Sequence, residues 1–250
     1  MTKLSVNVNK VALLRNQREV GVPSVVGAAV AALEAGAHGI TVHPRPDARH
    51  IRPGDVDELS VLLKSAPWSG REYNIEGNPL DFGGGHLMPM LRRVRPDQVT
   101  LVPDDPGQNT SDHGWDVVKH LDTLKPIVKE LKDLGCRVSL FLDPDPEMAK
   151  HAAETGADRI ELYTESYAKA FEEAGDALER SYDAFKQTAD AALSVGLGVN
   201  AGHDLNLENL PRFATIPNVL EVSIGHALIA DALMMGMGEA VRAYLDCLKP

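Results

Sequence analysis

Glu76, His43 and His203 are the residues of this chain best suited to moving protons. Glu76 ends the short run EYNIE, His43 ends GITVH, and His203 follows VNAG. A carboxyl taken out of water at such a place has its pKa raised, which suits a general base. The two histidines can accept and donate protons near neutral pH. Each has a plainer reading: Glu76 as the ion-pair partner of a neighbouring Arg or Lys, the histidines as hydrogen-bonded framework groups. HPRPDARH sets Arg45 and His50 on one short stretch that Pro44 and Pro46 stiffen. Arginine is well shaped for bidentate binding of phosphate. Gly202-His203 and Gly225-His226 follow two further apolar runs, where backbone N–H groups at a helix start can hold a second phosphate. A solvated charged loop and two ordinary tight turns are the alternatives.

These groups lie far apart in the chain, so a scaffold must bring them together. Eight short apolar runs, at residues 4–8, 39–43, 72–76, 98–103, 137–142, 159–163, 197–201 and 219–224, read as strands. Between them the patterns predict helices at 24–37, 55–65, 87–94, from a polar loop at 104–114 to about 134, then 147–155, 168–195, 207–215 and 229–248. Ser24 is a candidate N-cap, and Gly36 and Gly156 candidate C-caps. The strands are rich in β-branched residues and read as largely unalternated, as for parallel strands covered on both faces. Strand–helix alternation eight times over predicts an α/β fold, a single (β/α)8 TIM barrel over residues 1–250 with extra helices. An open, doubly wound sheet is the alternative.

In such barrels the active site lies at the C-terminal strand ends. Reading the polar residues there in chain order collects Asn7, Asn9 and Lys10, then His43, Arg45 and His50, Glu76, then Asp104, Asp105 and Thr110. Asp143, Glu161 with Tyr163, Asn200 with His203, and Ser223 with Gly225 and His226 complete the rim. So many ionisable groups at strand ends are hard to explain by solvation alone.

Bulk properties narrow the partners. The 250 residues carry 25 basic and 36 acidic side chains, a formal net charge of −11. That opposes binding to nucleic acid or an anionic membrane surface, but not local binding of small anions. Cys136 and Cys247 form no CxxC pattern, and the N-terminus has no apolar leader, so a cytoplasmic, reducing location is expected. No apolar run reaches the roughly 18 residues of a membrane span.

Eight segments, in order, carry a family resemblance: VNVNKVALLRNQR (6–18), GITVHPRPDARHI (39–51), NIEG (74–77), LVP (101–103), RVSLFLDPD (137–145), IELYT (160–164), VNAGHDL (199–205) and EVSIGHALI (221–229). Together they cover essentially the whole chain, which resembles the pyridoxine 5′-phosphate synthases of vitamin B6 synthesis. The resemblance implies condensation of 3-amino-2-oxopropyl phosphate with 1-deoxy-D-xylulose 5-phosphate to pyridoxine 5′-phosphate, inorganic phosphate and water. It implies no metal or organic cofactor, and a homo-octamer. By position, Glu76 and His43 would be proton acceptors, His203 the proton donor, and Glu161 the carboxylate that supports developing charge. Arg45, His50 and Thr110, with Asn9 and Lys10, would bind the deoxyxylulose phosphate; Asn7, Arg18, Gly225 and His226 would bind the amino-oxopropyl phosphate. The loop at 104–114 has the composition of a mobile lid.

Three departures stand out. Many family members have Asp-His where this chain has Asn9-Lys10, and Gly where it has Asp204, a carboxylate unfavourable beside a phosphate unless it points away. The stretch NPLDFGGGH (78–86) is looser than the family's usual helix start. Other chemistries fit the same residues: a Schiff-base enzyme using Lys10, a metal-dependent lyase with His43, Glu76, His203 and His226 as ligands, or a non-catalytic phosphometabolite-binding barrel.

Overall fold

The computed structural model describes residues 1–81, 85–105, 107–108 and 110–249. Parts of two sequence expectations, residues 82–84 of the loose helix start and 106 and 109 of the lid, lie outside the described residues. Eight parallel strands close on themselves in chain order. They are β1 (Lys3–Asn7), β2 (Gly39–Val42), β3 (Glu72–Gly77), β4 (Gln98–Leu101), β5 (Arg137–Leu142), β6 (Arg159–Tyr163), β7 (Gly198–Gly202) and β8 (Val219–Ile224). The β1–β8 pairing, Lys3 opposite Glu221 through Val6 opposite Ile224, completes the ring. The chain is a (β/α)8 barrel, and the open-sheet alternative falls.

Around it run α1 (Asn9–Asn16), α2 (Val25–Glu34), α3 (Pro53–Lys64), α4 (Leu87–Val94), α5 (Val117–Asp133), α6 (Pro146–Glu154), α7 (Glu165–Glu173), α8 (Gly175–Ser194), α9 (Leu210–Phe213), α10 (His226–Met235) and α11 (Met237–Cys247). Ser24 caps α2 as expected, its Oγ accepting from Gly27 N at 3.0 Å. Gly36 lies one residue beyond the α2 cap, at φ +111°, and Ala37 N returns to Ala32 O. That is a Schellman close, and glycine adopts its left-handed turn without strain. Gly135 repeats it after α5 at φ +89°, with Cys136 N donating to Leu131 O.

Four readings change. The helix expected at 168–195 is two, α7 and α8, divided at Ala174 and Gly175, where φ is +58° and +59°. The one expected at 229–248 divides at Gly236, φ +89°. Apolar periodicity runs through both breaks and does not report them. The helix expected at 207–215 is only the four-residue α9. Conversely, α1 was not foreseen; its carboxy-terminal end anchors the β2–α3 loop, with Asn16 Nδ2 donating to Arg49 O and His50 O, and Arg15 bridging Asp55 and His50 O.

The strands also alternate, contrary to the unalternated reading. Leu4, Val6, Ile40, Val42, Ile75, Val99, Leu101, Val138, Leu140, Ile160, Leu162, Val199 and Val222 are fully buried in the main apolar core. The residues between them are polar and equally buried: Ser5, Thr41, Asn74, Gln98, Thr100, Ser139, Glu161, Asn200 and Glu221. Hydrogen bonds between non-adjacent strands show that these line the barrel interior. Thr100 reaches Glu161 (β4 to β6, 3.2 Å), Gln98 reaches Glu221 (β4 to β8, 3.3 Å), and Asn200 reaches Gln98 (β7 to β4, 3.2 Å). Barrels usually fill this space with branched apolar side chains; here a hydrogen-bonded polar column fills it. Such groups cost about 1–3 kcal/mol each when buried unpaired, so their pairing keeps the interior tolerable; the Ser139 hydroxyl is the exception, buried with no partner among the described residues.

Candidate active site

At the C-terminal end of the barrel a cavity of about 560 Å³ opens. Asn7, Asn9, Lys10, His43, Arg45, His50, Glu76, Thr110, Glu161, His203, Asp204, Gly225 and His226 all line it. Of the residues given catalytic or substrate-binding roles, all but one line it, while Asp104, Asp105, Asp143, Tyr163 and Asn200 of the wider rim do not. Arg18 is exposed in the turn after α1 and does not line the cavity of this chain.

On the floor stand two carboxyls. Glu76 ends β3 and Glu161 is on β6; both are buried, at 8% and 3% exposure. Burial first, then the charges of Glu161, Asp104 and Glu221, push the Glu76 carboxyl well above its ordinary range. Burial raises Glu161 to about 7, against the Thr100 hydrogen bond and the charge of His203, which pull it down. Asn74 and Thr100 join the pair: Asn74 Nδ2 donates to Glu76 Oε1 at 3.5 Å, and Thr100 Oγ1 lies 3.2 Å from Glu161 Oε2 and 3.3 Å from Asn74 Oδ1. Asn7 Nδ2 approaches Glu76 Oε2 at 3.5 Å. Two acids of raised but different affinity for protons, in one cavity, are the arrangement of an acid–base enzyme.

His43 hangs between carboxyls, its Nδ1 3.8 Å from Glu76 Oε2 and its Nε2 3.3 Å from Asp104 Oδ2. Asn9 holds the His43 backbone, its Oδ1 accepting from His43 N at 2.9 Å while Asn9 N donates to Asn7 Oδ1 at 3.0 Å. An amide oxygen accepts that bond as a carboxylate would, so this contact survives the family departure at position 9. Asp104 is the residue the sequence reading underrated, having noted it only among the strand-four polar groups. It is 3% exposed and lies 2.7 Å from Arg45 Nη2 as well as beside His43. Burial pushes its carboxyl up, but His43 and Arg45 outweigh burial and hold it below the carboxylate range.

Arg45 was expected to meet phosphate. In this structure its Nη1 donates to Asp105 O and Gln108 O, at 3.2 and 2.8 Å, so it tethers the 104–114 loop over the cavity. Its Nη2 meets Asp104 Oδ2 as an ion pair at 2.7 Å, while Asp104 Oδ1 is buried with no hydrogen-bond partner among the described residues. His50 is better placed as a phosphate donor. Burial first, then His43, Arg45, Lys10 and Arg49, push it down to about 3, so it is neutral at physiological pH. Its Nδ1 accepts from Ile51 N at 2.9 Å, which leaves the proton on Nε2.

Opposite, Gly225 precedes α10, and the start of that helix, Gly225 through Ala227, lines the cavity. A Cβ on Gly225 would stand 3.2 Å from the Asn7 Cβ, so a side chain here would press on Asn7 and shift it by a few tenths of an ångström. The helix has no acidic residue in its first turn, which leaves its N-terminal N–H groups open to an anion. Lys10, near the start of α1, adds a cation on the same rim. Val102 and Phe141, clustered with Tyr163, form an apolar wall.

His203 sits in the loop after β7. Its Nε2 is 2.9 Å from Thr110 Oγ1 and its Nδ1 2.7 Å from Asp204 Oδ2. Asp204 pairs with the histidine while still lining the cavity, and His226 is near enough that its charge, with that of His203, bears on the Asp204 carboxylate. Among the described residues, His43, Glu76, His203 and His226 do not form a group placed to hold a metal ion. Nor is any helix among them long and apolar enough to cross a membrane. Cys136 and Cys247 are free thiols.

A closed parallel barrel whose mouth holds two buried carboxyls of raised proton affinity, two histidines and a helix start open to an anion defines a barrel enzyme for small anionic substrates. Residues 4–250 match the family model described as pyridoxal phosphate biosynthesis protein PdxJ, and the chain belongs to that family. It is 53% identical over 253 residues to a protein of Albidiferax ferrireducens named pyridoxine 5′-phosphate synthase, covering 99% of this chain and 97% of the relative. Proteins of the same name from Xylella fastidiosa and Christiangramia forsetii are 54% and 49% identical, over 99% and 100% of this chain and 95% and 100% of theirs. Among solved structures, phosphoribosyl anthranilate isomerase from Thermotoga maritima superposes with a TM-score of 0.60 at 13% identity, over 99% of this chain and 98% of that one. That likeness shows the barrel alone.

Proposed function

We propose that this chain is a pyridoxine 5′-phosphate synthase, condensing 3-amino-2-oxopropyl phosphate with 1-deoxy-D-xylulose 5-phosphate by acid–base catalysis. The observation that carries this reading is the buried Glu76–Glu161 pair under His43 and His203 in one cavity, in a chain of that family. Ring closure requires imine formation, loss of phosphate, loss of water and aromatisation, and each step moves a proton. Glu76 and His43 take protons from the joined substrates. Glu161, titrating near neutrality, supports the charge that develops, and His203 returns a proton to the leaving oxygen. His50, Thr110 and Lys10 hold the deoxyxylulose phosphate, Arg45 holds the 104–114 loop beside it and adds positive charge, and Asn7 with the Gly225–His226 turn holds the amino-oxopropyl phosphate. Arg18 joins that second site only if the turn after α1 moves in or another copy of the chain supplies it. We place the enzyme in the cytoplasm as a homo-octamer without cofactor, in keeping with the family resemblance.

The test is direct. Purified protein is incubated with both phosphorylated substrates, and pyridoxine 5′-phosphate is followed by absorbance and mass, for wild type and Glu76→Gln side by side. Product from wild type with a loss of at least roughly 100-fold in the variant is expected. Folded wild type that makes no product would confine the family likeness to fold and site. Borohydride trapping of an adduct at Lys10 would instead favour the Schiff-base route.

A further inference from the structure

We infer that Asp204 is a positioning residue for His203, forming with it an aspartate–histidine dyad that fixes which ring nitrogen works on the substrate. This rests on the acid–base role given to His203 above. The Asp204 carboxyl is held below the ordinary range, chiefly by its hydrogen bond with His203 and against the pull of burial. As a carboxylate it can only accept, so at 2.7 Å the proton between them belongs to His203 Nδ1. In the neutral ring Nε2 then carries the lone pair. It faces the cavity side and accepts from Thr110 Oγ1 at 2.9 Å.

The backbone supports the same conclusion. His203 and Asp204 are consecutive non-glycine residues with φ +88° and +57°, a conformation that costs free energy and persists only where the surroundings enforce it. Here they do. Thr164 Oγ1 donates to Gly202 O at 2.8 Å and also to His203 O. Asn209 Nδ2 donates to Asp204 O at 3.0 Å, and the Tyr163 ring meets the imidazole edge-on at 4.9 Å between centroids. The chain is bent so that residue 204 can turn back on residue 203. In the cycle, Nε2 takes up a proton and later delivers it to the substrate oxygen, while the Nδ1 proton stays in the bond to Asp204. The carboxylate is never protonated; it orients the ring and faces the positive charge while the ring carries it.

Asp204→Gly is the informative variant, because glycine adopts φ +57° without strain and the loop should keep its shape. Nitrogen chemical shifts of the His203 ring, read at neutral pH without substrate, report the tautomer directly. Expected is an Nδ1–H ring in wild type and a shift toward Nε2–H in Asp204→Gly. In the assay of pyridoxine 5′-phosphate formation kcat should fall about tenfold, part of the roughly 100-fold or more that a positioned acid–base group contributes, with KM for both substrates unchanged within about twofold. Asp204→Asn, whose Oδ1 can still accept from Nδ1–H, should restore the tautomer and most of kcat. A glycine variant that keeps the Nδ1–H signal, or keeps wild-type kcat, overturns the dyad, as does an asparagine variant no better than glycine. The shifts need no turnover, so they test the pairing even where wild type makes no product; that second result would instead remove His203 from the reaction.

Discussion

Thr100→Val tests the electrostatics of the site without touching substrate. Thr100 is fully buried on β4, and its hydroxyl is the first of the two influences, with the charge of His203, that oppose the burial of Glu161. A hydrogen bond to a charged group contributes about 1.5–3 kcal/mol. The single hydroxyl proton is shared between Glu161 Oε2 at 3.2 Å and Asn74 Oδ1 at 3.3 Å, so about half of that, roughly 0.7–1.5 kcal/mol, falls on the carboxylate. Valine has nearly the same shape and no hydroxyl, so the protonated carboxyl gains relative to the charged one. At 1.36 kcal/mol per pH unit, Glu161 moves up from about 7 by about 0.5–1 unit. The reaction needs the charged form, so the limb of kcat/KM that rises through neutrality should move to higher pH by that amount. The plateau at high pH should stay near wild type. The assay is kcat/KM against pH with both phosphorylated substrates, on protein whose unfolding temperature shows the barrel intact. A limb that stays in place, or moves to lower pH, refutes the assignment of Glu161 as the neutral-range group.

Other expectations follow from the same geometry. Gly202→Ala puts a Cβ 2.6 Å from Glu161 Oε1 and 3.1 Å from Ser223 O, so the carboxyl must shift; kcat should fall by about 100-fold, the cost of misplacing a reacting group by about 1 Å, while the circular dichroism of the barrel is unchanged. His50→Ala removes a neutral donor from the phosphate rim and should raise KM for deoxyxylulose phosphate about tenfold with little change in kcat; a change confined to kcat would place His50 elsewhere in the cycle. Glu221, raised to about 8 by burial and by Glu72, keeps in the folded state a proton that the unfolded chain releases near 4.5. Stability therefore falls as pH rises between those values, by an amount on the order of a few kcal/mol, and the loss is complete above the folded value. Glu221→Gln cannot release that proton, so the drop in unfolding temperature between pH 6 and pH 9 should be smaller in the variant, at roughly the scale that linkage sets.

How much of this the residues disclose depends on range. Strand and helix order follow from short-range patterning, and β5, β6 and β8 lie where the pattern sets them. The site residues are legible because a barrel carries each strand end to one rim, so Glu76 and Glu161 meet whatever lies between them. What depends on single backbone angles is harder to see: Gly175 and Gly236 divide helices whose apolar period continues across the break. Partner choice is harder still. Arg45 has the charge of a phosphate ligand, yet burial requires its guanidinium to find acceptors, and the 104–114 loop supplies them.

The polar interior is written in the strand sequences. Ser, Asn, Thr and Glu recur at every second position of LSVN, EYNIE, QVTL and RIELY, a period of two that points them all to one side. Read as buried parallel strands, these runs should have been apolar on both faces. Their alternation means instead that the inward face must be satisfied by other strands across the barrel, as Gln98 satisfies Glu221 and Thr100 satisfies Glu161. Burial is why the carboxyls at the top of this column hold their protons, and for Glu161 the column moderates that through Thr100. Burial alone would drive Glu161 higher still, and bulk water would drop it to an ordinary carboxylate; the Thr100 hydroxyl and the charge of His203 bring it to about 7, where the charged form is within reach at neutral pH.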